Sequence, residues 1–206
     1  MTTEPTRAFE IERTYDANAD TPLPRWDAIP GLARVGDVEV RPLDARYFDT
    51  ADLSLSRAGV ALRRRTGGPD AGWHVKGPRQ GDGRLELIWP LGEDERMPRE
   101  IIEAIAAWAE GPLTPLARIE NTRHAYSLFD GDGAVIAEFV DDRVRATDVR
   151  RGAQRAWREW EVELGPAAPV DAAGRDELFT AIEAVVFAAG GRPAASDSKL
   201  GRALGR

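Results

Sequence analysis

Polar and apolar residues alternate along most of this chain with a period of two, and the period lengthens to that of a helix in three places. Residues 8-15 (AFEIERTY) read as a first strand, and 36-48 (GDVEVRPLDARYF) as a second that Pro42 bends or bulges. Between them, 22-32 suits a short helical turn closed by Gly31, and 49-59 is a connector with room for one more turn. Three strands follow at 59-66, 72-79 and 83-91, separated by Gly and Pro turns as in an antiparallel meander. Strands resume at 116-129, turn at DGDG, and continue over 134-142, 143-149 and 154-164. The segment 98-111 puts Ile101, Ile105, Trp108 and Ala109 at helical spacing, with Pro98 suited to the first turn and Gly111 to the end. A second amphipathic helix is expected over 176-191, closed by Gly190 and Gly191, and a short third over 196-204, capped by Ser196.

Within several strands the polar partner of each apolar residue is a charge. Glu10 and Glu12, Arg63 and Arg65, Arg84 and Glu86, and Glu159, Glu161 and Glu163 stand on alternate residues. Side chains two apart on a strand share a face, so each run sends its charges one way and Ile11, Leu62, Leu85, Leu87, Trp160 or Val162 the other. The apolar face needs cover, and the charged face meets solvent or a lumen. Closing the strands on themselves removes edges, lets helices cover the apolar outside and leaves a polar interior. The expected architecture is therefore α+β: a closed antiparallel β-barrel with a few flanking helices.

Composition narrows the chemistry. The 206 residues suit one domain, 1-206, and a hydrophobic share of 42% is enough for a core. Net charge of -7 and a pI near 5.0 argue against nucleic acid as a partner, so any polyanion must meet a local basic cluster. The absence of cysteine excludes disulfides and thiolate metal sites, and His74 and His124 are the only histidines, which disfavours zinc. No run of 18 apolar residues and no leader-like apolar segment is present, so no membrane partner and a cytoplasmic location are expected. There is no P-loop, no GxSxG elbow and no EF-hand spacing around Asp132, which sits in a turn.

The order of the charged landmarks resembles that of CYTH domains, within the triphosphate tunnel metalloenzymes. Glu10-Ile11-Glu12-Arg13-Thr14 matches the opening Glu-x-Glu-x-Lys except that Thr14 stands at the lysine. Tyr47-Phe48-Asp49-Thr50, Leu62-Arg63-Arg64-Arg65, Lys76, Arg84-Leu85-Glu86, Arg123, Asp142, Glu159-Trp160-Glu161 and Ser198-Lys199 follow in order, so the likeness covers about 9-204.

That resemblance implies an eight-stranded antiparallel tunnel holding a triphosphate group and a divalent metal, Mg2+ or Mn2+. Its substrate-binding half would be Arg63, Arg65, Lys76, Arg84, Arg123 and Lys199, where guanidiniums offer bidentate contacts to phosphate. Its metal and catalytic half would be Glu10, Glu12, Glu159 and Glu161, hard oxygen donors from two strands. Glu86, Glu138, Asp142 and Glu163 share these faces by parity and either complete the acidic set or hold the basic side chains. The implied activity is metal-assisted hydrolysis of a triphosphate, inorganic tripolyphosphate first and nucleoside triphosphates next. Two alternatives remain: a binding module for polyphosphate or a triphosphate, which the neutral Thr14 favours, and adenylyl cyclase or thiamine triphosphatase activity. Arg64 belongs on the outer face by parity, His74 shares a face with Lys76 in either a structural or a substrate-facing role, and Trp73, Trp89, Trp108, Trp157 and Trp160 suit packing. The oligomeric state is open at this level.

Overall fold

A computed structural model describes residues 4-92, 96-196 and 198-206. Residues 1-3 and 93-95 of the expected domain, and Asp197 of the helix read over 196-204, lie outside them. The strands are β1 (Thr6–Glu10), β2 (Glu12–Ala17), β3 (Arg34–Val35), β4 (Glu39–Asp49), β5 (Ala61–Thr66), β6 (Gly72–Gln80), β7 (Gly83–Pro90), β8 (Thr114–Phe129), β9 (Val135–Asp148), β10 (Ala153–Leu164) and β11 (Arg192–Pro193). The helices are α1 (Ser54–Arg57), α2 (Arg99–Ile105), α3 (Ala172–Ala188) and α4 (Lys199–Ala203), with a 3-10 turn at Trp26–Ala28.

All ladders are antiparallel, in the order β1-β7-β6-β5-β4-β8-β9-β10-β2-β11, with β3 paired to β8 off this path. This corrects the closed eight-stranded barrel: among the described residues the sheet has eleven strands and no ladder closes it. The reason lies in the first extended run, which is not one strand over 8-15. It breaks at Ile11, so that β1 pairs with β7 at one end of the path while β2 pairs with β10 near the other. Chain continuity through Ile11 links these two pairings, and the carbonyl of Ile11 accepts from Leu164 N at 2.9 Å.

Several boundaries also differ from the sequence reading. Segments 134-142 and 143-149 form the single strand β9, because every residue from Ala137 to Asp148 has a partner on β10. Pro42 pairs with Thr122 without a bulge, and the irregularity in β4 falls between Tyr47 and Phe48 instead. Helix α2 is shorter than 98-111, and α3 begins earlier than Asp176, where the Asp171 carboxylate accepts from Gly174 N at 2.9 Å. The cap of α4 is Ser198, whose hydroxyl accepts from Gly201 N, not Ser196. Buried Asp49 organises α1 by accepting from the backbone of Thr50, Leu55 and Ser56.

The outer face is apolar and helix-covered. Leu62, Trp73, Val75 and Trp89 pack against Leu55 of α1 and Ile101 and Ile105 of α2. Tyr15, Phe139, Trp160 and Val162 pack against Phe179, Ile182 and Val186 of α3. A third cluster joins Ala45, Tyr47, Ile119 and Val144 to Leu200, Ala203 and Leu204, so α4 lies against apolar positions that face inward. Among the described residues no helix is long and apolar enough to cross a membrane.

The turn between β5 and β6 depends on a glycine. Gly67 there has φ of 79°, and an added Cβ would meet the Pro42 carbonyl oxygen at 1.9 Å. Gly67→Ala is expected to destabilise the fold by about 3 kcal/mol. A urea titration checks this: the midpoint should fall with little change in m, and an unchanged midpoint would show that the hairpin does not depend on this backbone state.

Candidate functional site

Alternation delivers the charged side chains to one cavity of about 130 Å³, because the inner positions of β1, β2, β5, β6, β7, β8 and β10 converge there with the start of α4. Glu10, Glu12, Arg63, Arg65, Lys76, Arg84, Glu86, Arg123, Glu161, Glu163 and Lys199 all line it. Glu159 and Asp142 lie just behind, at 2% and 0% exposure, and reach the cavity through Lys199. Glu138 does not line it; Arg41 holds that carboxylate with two 3.0 Å hydrogen bonds. Thr14 does line it, opposite Glu161 in the β2–β10 register.

Two lysines divide the acidic set. Lys76 lies 2.7 Å from Glu10 Oε2 and 2.9 Å from Glu12 Oε1. Lys199 lies 2.9 Å from Asp142 and 2.5 Å from both Glu159 and Glu161. The four glutamates read as one metal half are therefore split into two groups, and Asp142 joins the second. Arg123 adds a bidentate pair to Asp142, at 2.9 and 2.7 Å, and donates to Glu161 at 2.6 Å. Arg63 contacts Glu86 at 3.3 Å and the Tyr47 hydroxyl at 3.4 Å, and Arg65 pairs with Asp70. Arg84 stands apart, with no ion pair among the described residues, and acts on Glu12 only through its field.

Burial and neighbouring charges set the ionisation. Burial raises Glu10 to about 8, reinforced by its hydrogen bond with Glu86 and opposed by Lys76. Burial and the Glu12 charge raise Glu163 to about 7. Burial would also lift Glu12, but Lys76 outweighs it and holds the group below its usual range. At Asp142 burial is likewise overcome, here by Arg123 and then Lys199. Glu159 stays raised, because burial and the nearby Glu161 exceed what Lys199 returns. Burial also disfavours the charges of Lys76 and Lys199, yet their carboxylate partners raise both above the ordinary lysine value. Burial next to Arg63 and Arg123 lowers Arg65 to about 9.

The model of the CYTH domain matches residues 10-182, most of the chain and all but the last part of this site. The chain belongs to the CYTH domain family. It is 36% identical over 213 aligned positions to an uncharacterised protein of Mycobacterium tuberculosis, found in strains CDC 1551 and H37Rv. That alignment covers 98% of this chain and 41% of the relative, so the chain spans about two fifths of the length of the curated relatives it matches. Among solved structures, a putative adenylate cyclase of Bacillus halodurans superposes with a TM-score of 0.66 at 17% identity, covering 95% of this chain and 97% of that one. A putative adenylyl cyclase of Hippeastrum, described as revealing a dominant triphosphatase activity, superposes with a TM-score of 0.59 at 16% identity, covering 96% of each chain. These structural likenesses carry the CYTH fold.

CYTH enzymes depend on metal, and the residues present suit a hard divalent cation. Oxygens of Asp142, Glu159 and Glu161 lie within 4.8 Å of one another. Such an all-carboxylate donor set is the kind that hard divalent cations take. The Lys199 ammonium lies 2.5 Å from Glu159 Oε1 and now supplies the positive charge that this acidic group faces. Asp142 was legible by strand parity but not its grouping, which needs the β9–β10 register that sets it opposite Glu159. Arg41 is a further inner-face charge the sequence reading missed. Its signal was present, since it shares parity with Leu43, Ala45 and Tyr47 on β4.

Removing Lys199 leaves buried Glu159 without its ammonium partner, while Arg123 still holds Asp142 and Glu161. Lys199→Met is expected to cost about 3–5 kcal/mol of stability at neutral pH. Without the ammonium, the folded-state pKa of Glu159, already raised by burial, rises further above its unfolded value, so protonation favours the fold. Thermal unfolding of the variant should therefore approach that of the wild type as pH falls from about 8 toward about 5. A deficit that stays constant over that range would contradict this electrostatic account.

Proposed function

We propose that this CYTH domain hydrolyses a phosphoanhydride bond of a triphosphate chain, with inorganic tripolyphosphate as the preferred substrate. The observation that carries the reading is a partly enclosed cavity lined by both guanidinium and carboxylate groups. The Nε–H of Arg63 and of Arg65 are buried without an acceptor among the described residues. Orphaned buried donors are costly, and phosphate oxygens would satisfy them. Size supports the same substrate. Pockets for drug-sized ligands run from roughly 300 Å³ upward. At about 130 Å³ this cavity suits a bare phosphate chain rather than one with its base and sugar enclosed.

In this proposal Arg63, Arg65, Lys76, Arg84, Arg123 and Lys199 hold and neutralise the phosphates, and Glu10 and Glu12 fix the Lys76 ammonium at the cavity wall. Asp142, Glu159 and Glu161 would hold a divalent ion, Mg2+ or Mn2+, which when bound supplies Lewis-acid polarisation and lowers the pKa of its water. The charged side chains keep the chain of phosphates aligned for in-line displacement, so positioning and electrostatics supply most of the rate. A second reading, a triphosphate-binding module without turnover, is favoured by Thr14, a neutral hydroxyl at the position of the family's motif lysine and directly opposite Glu161.

The test incubates purified protein with Mg2+ or Mn2+ and tripolyphosphate, ATP or thiamine triphosphate, reading phosphate and cyclic AMP. Phosphate release fastest from tripolyphosphate is expected. Glu159→Gln should lower kcat by about 100-fold or more, and Arg63→Ala should raise KM by about tenfold or more. No phosphate from any substrate, combined with release by Thr14→Lys, would leave the binding module as the answer. Cyclic AMP as the main product from ATP would replace hydrolysis by cyclisation.

A further inference from the structure

His74 is fully buried, at 0% exposure, on the inner face of β6 and directly opposite Arg63 in the β5–β6 ladder. Both of its ring nitrogens are engaged. Nδ1 lies 3.0 Å from Glu86 Oε1, and Nε2 lies 2.9 Å from the Asp70 carbonyl oxygen. The Asp70 carbonyl only accepts, and the Glu86 carboxylate, held ionised beside Arg63, also accepts, so both contacts are hydrogen bonds when the ring is the imidazolium; burial opposes that charge and the Glu86 hydrogen bond favours it. Each of these acceptors in turn belongs to a residue that holds one arginine of β5. Glu86 Oε1, the oxygen that meets Nδ1, also accepts from Arg63 at 3.3 Å, and the Asp70 carboxylate pairs with Arg65. Gly72 stands opposite Arg65 in the same ladder and puts no side chain between that guanidinium and the turn carrying Asp70. Arg63 and Arg65, each with a buried Nε–H that lacks an acceptor, are thus tied to the two nitrogens of one imidazole, the first through the Glu86 carboxylate and the second through Asp70, whose carbonyl meets the ring and whose carboxylate meets the guanidinium.

We infer that His74 is a positioning residue that sets both inner-face arginines of β5 at once, orienting Arg63 through Glu86 and Arg65 through the backbone of Asp70. The inference rests on the proposed binding of a triphosphate by these arginines. A core histidine kept only for packing would need neither polar contact, and an apolar residue of similar volume would then serve equally well. The two-armed geometry predicts that the arms separate. An asparagine amide places a donor close to the position of Nδ1 and keeps the Glu86 arm, whereas a glutamine amide reaches the position of Nε2 and keeps the Asp70 arm.

The experiment compares His74→Asn, His74→Gln and His74→Leu in the full chain. Urea midpoints establish which variants fold. NMR follows the Nε–H resonances of Arg63 and Arg65, assigned with Arg63→Lys and Arg65→Lys, and calorimetry measures tripolyphosphate affinity in chelator. His74→Asn should broaden or shift the Arg65 resonance and spare that of Arg63, and His74→Gln should do the reverse. Affinity should fall by roughly three- to tenfold in each of these and by about 30-fold or more in His74→Leu. If His74→Leu fails to fold, the crossed pattern of the other two decides. Wild-type affinity in the folded variants, or equal disturbance of both arginines by Asn and Gln, would overturn the inference. A wild-type protein that binds no tripolyphosphate but shows the crossed NMR pattern would refute the triphosphate reading and leave the positioning role of His74 standing.

Discussion

The constraint on which this structure depends is the cost of carrying many charges into a partly enclosed space. An isolated carboxylate or ammonium loses several kcal/mol when its water is removed, and only close partners return it. The sheet meets that cost by bringing acidic and basic strands to one cavity. Acidic β1 and β2 face basic Lys76 of β6, and acidic β10 faces Arg123 of β8 and Lys199 of α4. The apolar residues between these charges then have to face outward, and α1, α2 and α3 are placed where they cover them. Charge pairing inside and helix packing outside are two consequences of the same alternation.

The break at Ile11 follows from this arrangement. Glu10 belongs to a ladder with β7, where it stands opposite Arg84, while Glu12 belongs to a ladder with β10, where it stands opposite Glu163. One short motif thereby serves both ends of the hydrogen-bonded path, and its two carboxylates still converge on Lys76. A strand that kept a single neighbour throughout would have left one end of the sheet, and one of the two glutamates, without this role.

Strand parity made much of the site legible in the sequence. It separated Arg63 and Arg65 from Arg64 and placed Lys76, Glu86 and Glu161 on inner faces, and the cavity lining agrees. What it could not supply was distance between strands far apart in sequence. The meeting of Asp142 with Glu159 depends on a twelve-residue register between β9 and β10, and the division of the acids between two lysines depends on where two long side chains end. Glu138 shows the limit of parity: it shares a face with Asp142, but Arg41 draws it away from the cavity. The closed barrel failed for a related reason, since a break at one residue redistributes hydrogen bonds without disturbing the alternation that parity reads.

The balance of charge within the cavity bears on how a polyanion could enter it. Glu10, Glu12, Asp70, Glu86, Glu161 and Glu163 on its wall are matched in number by Arg63, Arg65, Lys76, Arg84, Arg123 and Lys199. A formally neutral cavity offers little net attraction to a group carrying several negative charges. Two features shift it in the favourable direction. Burial holds Glu10 up at about 8 and Glu163 at about 7, so near neutrality part of the acidic charge is carried as neutral acid. A divalent cation on the second acidic group would add two positive charges beside the phosphates while lowering the repulsion among Asp142, Glu159 and Glu161. With Thr14 supplying no charge where the family's motif carries a lysine, such a cation would bear a larger share of the neutralisation. On this argument a polyanion and a divalent cation would each favour the binding of the other, because each would supply the counter-charge that the other lacks.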